Sequence, residues 1–330
     1  MSQTTTNRAR KLLAVLTVAP LLAALVACSP SSAEPVSDGQ DEALTAAGLT
    51  VNTSPEQDRI KSTISPEAVA LLPKDIAESG KLKVAVFAGT PPISFLADDE
   101  RTPIGSETDI ASLVADALGL ELELDVKAWA DWPLALQSGD VSAVTANITV
   151  TEERKELFDF VTYRNDILGW LVTADSEITS ITEPKDIAGY TVAVGSGTNQ
   201  EKVLIAWDEQ NQAAGLKPVK IEYFDNDGDT ILALQSGRID INFGPNVTSA
   251  FKAAVAPKEF KVVGTLSGGW PQTAQIAVAS LKGNELAPAF AAALNHTIEE
   301  GTYAQVLERW GISSEAIATS EVNPAGLPKP

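Results

Sequence analysis

The pentapeptide Ala-Leu-Gln-Ser-Gly occurs twice, at residues 135–139 and 233–237. Each copy reads as the end of a helix stopped by glycine, and each leads into an apolar strand signal, at 141–144 and 239–243. The order upstream is also shared: strand, glycine-bearing loop, helix, strand. In the first copy these are residues 81–87, a loop at 88–92, a helical period over 108–118 ending at Gly119, and the alternating run 120–124. In the second they are 192–194, the loop Gly195-Ser196-Gly197-Thr198-Asn199, a helix from about 200 to 207, and 219–223. Two copies of one βαβαβ-like unit imply an α/β protein of two lobes, each a mostly parallel sheet flanked by helices. Ligands of such sheets sit outside the carboxyl ends of the strands. The candidate loops are therefore 87–95 and 146–154 in one lobe, and 195–199 and 244–248 in the other.

A late strand at 273–279 is followed by an Ala-rich helix over 285–299 and a short helix over 302–310. A late strand that rejoins the first unit makes the chain cross between lobes near 166–172 and again near 268–276. Two crossings form a hinge that closes around a ligand. The resulting division is 80–168 plus 272–313 for the first lobe, 169–271 for the second, and a C-terminal tail at 314–330.

The first residues are not part of either unit. Arg8, Arg10 and Lys11 precede an apolar run, 12–26, that is interrupted by Pro20 and too short to span a bilayer comfortably. The run ends in Leu25-Val26-Ala27-Cys28, so 1–27 reads as a secretion signal. The sequence around Cys28 resembles a bacterial lipobox, which implies cleavage before Cys28 and a lipid on its sulfur. Cys28 is the only cysteine, which excludes an intramolecular disulfide. Residues 28–70, rich in Ser, Pro, Ala, Asp and Glu at their start, read as a flexible tether. Removing the signal takes the formal net charge from −20 to −23, because it carries three cations and no acid. A chain this acidic is not built for nucleic acid, and its membrane contact is expected through the Cys28 lipid only.

The chemistry concentrates in Ala146-Asn147-Ile148-Thr149-Val150-Thr151-Glu152-Glu153-Arg154. This stretch follows a strand and carries helix-start spacing, Thr149 with Glu152, or Thr151 as an alternative cap. A strand end with hydroxyls and free backbone groups, followed by an Arg, suits a small anion, because the guanidinium offers a planar fork to a carboxylate.

Several residues carry a resemblance to the family 3 extracellular solute-binding proteins, the amino-acid receptors of ABC importers. They are the Trp132-Pro-Leu-Ala-Leu-Gln-Ser-Gly helix, the Thr149-x-Thr-x-x-Arg154 pattern, Asp159-Phe-Val-Thr-Tyr163, Gly197-Thr198, and Gly301-Thr-Tyr303 with Trp310-Gly311. The resemblance covers about 80–313. It implies a two-lobe periplasmic-binding-protein-like fold of type II and a monomer at the outer face of the bacterial membrane. That protein captures a small carboxylate-containing solute, an amino acid or derivative, and hands it to an ABC permease without any cofactor or metal. Position by position, Arg154 is expected to clamp the carboxylate, Thr149 to donate to it, and the Asn147 carbonyl to accept from the ligand. Thr198 and the Asn199 N–H complete the anion site from the second lobe. Phe95 and one of Trp129 or Trp132 wall the pocket.

The sequence departs from the family at several places: Gly105-Ser-Glu-Thr-Asp109 lacks the family's aromatic residue, and the anion loop has Gly195 where members often carry Lys or a bulkier residue. Acids that hold an α-ammonium are expected after the first strand and after the strand following the second glycine stop, where this chain has Phe87 and Pro245. Glu107 and Asn246 are candidates for the missing polarity, an aromatic face such as Phe87 is an alternative contact for a cation, and a carboxylate-bearing ligand with a substituted or absent α-amine is a further option. Alternatives of another kind are a cleft enzyme resembling cyclohexadienyl dehydratases, with Glu107 as the acid, or a ligand-sensing accessory to a membrane receptor. Asp225-Asn-Asp-Gly-Asp229 fails EF-hand spacing and reads as a helix cap. His296, the only histidine, has no metal-ligand partner near it in sequence.

Overall fold

The computed structural model describes residues 44–46 and 49–329. The expected signal, Cys28 and the first part of the tether lie outside the described residues. A small hairpin pairs 44–46 with 49–51, and residues 51–70 then pack on the first lobe instead of forming a tether. The reason is a buried acid: Asp109, 1% exposed, has Arg59 and Arg309 at 3.6 Å, and Arg309 donates in turn to the Asp58 carbonyl. Ser65 caps α1 (Pro66–Ala70) and its N–H donates to the Ala117 carbonyl, which fixes the segment to the lobe. α2 (Lys74–Ser79) leads into the first sheet.

The first lobe is built from β1 (Lys81–Val86), α3 (Ser106–Leu118), β2 (Glu121–Val126), α4 (Trp132–Gln137), β3 (Ala143–Thr149) and β4 (Phe158–Asn165). The chain then enters the second lobe through β5 (Ile167–Thr173), β6 (Thr191–Val194), α5 (Asn199–Ala213), β7 (Lys220–Tyr223), α6 (Asp227–Gln235), β8 (Ile241–Pro245), α7 (Asn246–Val255) and β9 (Phe260–Ser267). It returns through β10 (Gln275–Leu281) and finishes with α8 (Leu286–Glu300) and α9 (Thr302–Arg309).

The sheet orders are β2-β1-β3-β10-β4 and β7-β6-β8-β5-β9. The three strands of each repeat unit run parallel in the order second, first, third, and the strands that have crossed over add on antiparallel. The two pentapeptides are structural twins. α4 and α6 both end at their Gln, both following Ser hydroxyls donate to the Ala carbonyl at 3.2 Å, and Gly139 and Gly237 adopt φ of 76° and 72°. Only glycine takes that left-handed conformation without strain, so it ends the helix and aims the chain at the next strand. α6 is capped by Asn226, whose Oδ1 accepts from the Asp229 N–H at 2.8 Å, so the acidic cluster there is a helix start.

The first lobe buries α3, α8 and α9 on one face of its sheet and α4 with Trp132 and Phe158 on the other. The second lobe is organised on Trp170, which stacks on Phe243 at 3.7 Å and packs against Trp207.

The tail is part of the fold. Val322 bridges Val161 of the edge strand β4, and Leu327 bridges Thr151. The tail thereby covers a strand edge that would otherwise present unpaired backbone groups. Deleting 318–330 removes four backbone bonds: Thr162 N–H to Glu321, Asn323 N–H to Phe160, Leu327 N–H to Val150, and Glu152 N–H to Leu327. At about 0.5–1.5 kcal/mol each, the truncated protein is expected to lose roughly 2–6 kcal/mol in urea unfolding. An unchanged unfolding midpoint would show that the tail contributes nothing to cohesion.

Candidate binding site

β3 ends in a distortion that sets up the site. Its register with β10 shifts along this stretch, and Asn147 takes φ 54°. The Asn147 side-chain oxygen accepts from Arg164, a guanidinium 1% exposed at the end of β4. Arg164 also reaches Glu107, at the start of α3, at 3.1 Å, and Glu315, beyond α9. Burial opposes the charge on Arg164, but Glu315 and Glu107 more than offset it and raise its pKa. The second Glu107 oxygen accepts from the Tyr163 hydroxyl. Glu107 is fully buried and both its oxygens are engaged, so as held here it has no free oxygen with which to protonate a leaving group, and the enzyme alternative is left without its acid.

Two residues beyond each of these anchors lie Thr149 and Asp166. The Thr149 hydroxyl donates to Asp166 Oδ2 at 2.7 Å, and the Thr149 carbonyl accepts from Arg154 Nη1 at 2.8 Å. Arg154 sits in a single 3-10 turn whose N–H donates to the Thr151 hydroxyl. Its second nitrogen, Nη2, reaches the Gly197 carbonyl of the second lobe at 3.3 Å. Its guanidinium carbon lies 5.7 Å and 6.0 Å from the ring centroids of Trp129 and Trp132. Desolvation lowers its pKa to about 10, against the opposing pull of Asp166 and Glu153. It stays charged at neutral pH, yet no acid lies within ion-pair distance of it among the described residues. Glu153, next to it, pairs with Lys202 of α5, so the two lobes touch through this turn twice.

On the second-lobe side, Thr198 caps α5. Its hydroxyl accepts from the Glu201 N–H at 3.2 Å and donates to the Gly195 carbonyl at 2.6 Å. The Asn199 side chain donates to the carbonyl of Gly268, in the second crossing.

The structure thus brings Arg154, Thr149, Trp129, Trp132 and the Gly195–Asn199 loop together. Phe95 lies elsewhere, edge-on to Trp310 at 6.1 Å inside the first-lobe core. Asn147 and Glu107 hold Arg164. Asn246 opens α7 against Gly169 of β5. Phe87 lines a shallow recess with Trp129, Trp132 and Lys127. Asp166 and Arg164 were not singled out by the sequence. The one available signal was a polar triplet with two charges, Arg164-Asn165-Asp166, interrupting an otherwise apolar run at the expected crossing.

The match to the family model of the bacterial extracellular solute-binding proteins, family 3, runs over residues 82–313. This chain belongs to that family. Among its relatives, the arginine-binding protein ArgT of Corynebacterium glutamicum is 29% identical over 259 residues, covering 78% of this chain and 83% of its own. The L-cystine-binding protein TcyJ of Escherichia coli K12 is 30% identical over 237 residues, covering 71% and 84%. Among solved structures, an ancestral arginine-binding protein bound to arginine matches with a TM-score of 0.62 and 29% identity, over 70% of this chain and 98% of its own. The ancestral amino acid-binding protein AncCDT-1, a precursor of cyclohexadienyl dehydratase, matches with a TM-score of 0.63 and 26% identity, over 73% of this chain and 99% of its own. The likeness shows a two-lobe solute-binding fold, and the relatives reported are binding proteins. No helix among the described residues is long and apolar enough to cross a membrane.

Removing one partner of a buried ion network leaves the others unpaired in low dielectric, at a cost of about 3–5 kcal/mol. Arg164→Met should destabilise the family 3 protein by that amount in urea unfolding, since Glu107 and Glu315 lose their cation together. A change under about 1 kcal/mol would show that the triad is not holding the lobe.

Proposed function

We propose that this protein captures a small carboxylate-bearing solute, an amino acid or derivative, between its lobes. The closed form then passes the solute to an ABC permease. The observation that carries this reading is Arg154: a charged, half-buried guanidinium without an ion partner, walled by two tryptophans and reaching backbone carbonyls of both lobes. Those carbonyls are neutral acceptors, and a carboxylate is a stronger partner for the same donors. The N-terminus of α5, with the amides after Thr198, adds donors from the other side. The relatives named for arginine and cystine bind molecules that carry such a carboxylate. Closure about the two crossings buries it.

Calorimetry against a panel of amino acids and their derivatives is expected to find a binder. Arg154→Ala should weaken it by more than about 2 kcal/mol, or about thirtyfold, because a carboxylate is then buried unpaired. Equal affinity in the variant would reject this site.

The lipobox-like sequence at Cys28 supports an anchor at the outer face of the membrane. Expressed from its own leader, the protein should partition into detergent. Cys28→Ala should move it to the aqueous phase, and unaltered partition would remove the anchor from this reading.

A further inference from the structure

Arg154 is not the only charge at this site without a counterion. Asp166, 4% exposed, forms the whole of the first crossing between β4 and β5. Its backbone is fixed to the second crossing: its N–H donates to the Ala274 carbonyl, and its carbonyl accepts from the Gly268 N–H. One carboxylate oxygen accepts from the Thr149 hydroxyl, and no cation lies within ion-pair distance among the described residues. Arg164, two residues away, is already shared among Glu107, Glu315 and Asn147. Arg154 lies on the carbonyl side of Thr149, with its donors on the Thr149 and Gly197 carbonyls, and makes no ion pair with Asp166. The room for the Asp166 carboxylate is made by Gly268, where a Cβ would lie 2.2 Å from it.

One residue, Thr149, therefore holds a cation on its carbonyl and an anion on its hydroxyl, and neither charge has an ionic partner. Both groups are hydrogen-bonded to the same residue, which keeps them on the scale of one small zwitterion, and no ion pair joins them. The positions after β1 and β8, Phe87 and Pro245, offer no charge for an ammonium.

We propose that Asp166 is the cation-recognising residue of the site, holding the α-ammonium of an α-amino acid whose carboxylate lies on Arg154. This rests on the carboxylate reading of Arg154. Burial pushes the Asp166 carboxyl above the ordinary carboxylate range, as for an ion short of a partner. Its folded pKa exceeds its unfolded value, so its ionised form costs stability once the pH has risen through that range. A bound ammonium offsets that cost.

The competing role is positioning: Asp166 merely orients the Thr149 hydroxyl. Asp166→Asn separates the two, since the amide oxygen still accepts from Thr149 but carries no charge. The probes are the L-amino acids, with L-arginine and L-glutamine among them, each paired with the same acid lacking its α-amine, such as 5-guanidinopentanoate for arginine. Wild type is expected to bind an L-amino acid at least thirtyfold more tightly than its deaminated partner, and Asp166→Asn should abolish that discrimination. Without ligand, the variant should melt cooperatively at pH 7, no lower than wild type. Retained discrimination in Asp166→Asn overturns the proposal. So does wild type that binds deaminated acids equally well, and that result leaves the Arg154 site standing. A variant that melts lower and loses both probes equally marks Asp166 as structural, which also overturns it. If neither series binds wild type, both readings fall.

Discussion

The buried guanidinium of Arg164 is the constraint on which the first lobe depends. It joins the start of α3 through Glu107, the turn after α9 through Glu315, and the distorted β3 through Asn147. A charge removed from water must be satisfied on every side, so these three elements have little freedom to shift independently. The polar site is the next rung of the same ladder. Asn147 and Arg164 are bound to each other, and so are Thr149 and Asp166, two residues further along the same strands. The structural pair is closed with counter-charges. The outer pair has a buried carboxylate without a counter-charge on one side and Arg154 on the other.

The two lobes descend from one repeated plan but contribute unlike chemistry. The first supplies side chains: Arg154, Thr149 and the indoles. The second supplies backbone from the loop after its first strand, the Gly195–Asn199 turn and the amino end of α5. In the proposed reading this asymmetry would place the specific side chains on one lobe and a helix N-terminus, which favours anions, on the other.

Much of this was legible in the sequence. The doubled pentapeptide gave two lobes, and the strand-to-turn chemistry at 146–154 pointed to Arg154. What was not legible shares a physical cause. Arg164 and Asp166 are charged residues that fold inward, and residue type alone assigns them to solvent, while Glu107, expected in the cleft, is taken up as a buried partner of Arg164. Asn147 twists its strand through a left-handed conformation that strand periodicity does not report. Residues 51–70 have tether-like composition, yet a buried acid forty to sixty positions later recruits Arg59 and orders them. Phe95 was placed by analogy at the pocket wall, while in the fold its ring packs against Trp310.

The close approach at Gly268 has a wider meaning. A side chain at 268 and a carboxylate at 166 occupy the same space, so the two positions are mutually exclusive in volume. Where the crossing at 166 carries a smaller, neutral residue, this particular demand for glycine at 268 is relieved. The pair is therefore a marker that can be looked for in any related sequence: an acid where the chain first leaves the lobe, faced by a bare glycine where it returns. A buried charge is invisible in a single sequence, but the glycine that makes room for it is not.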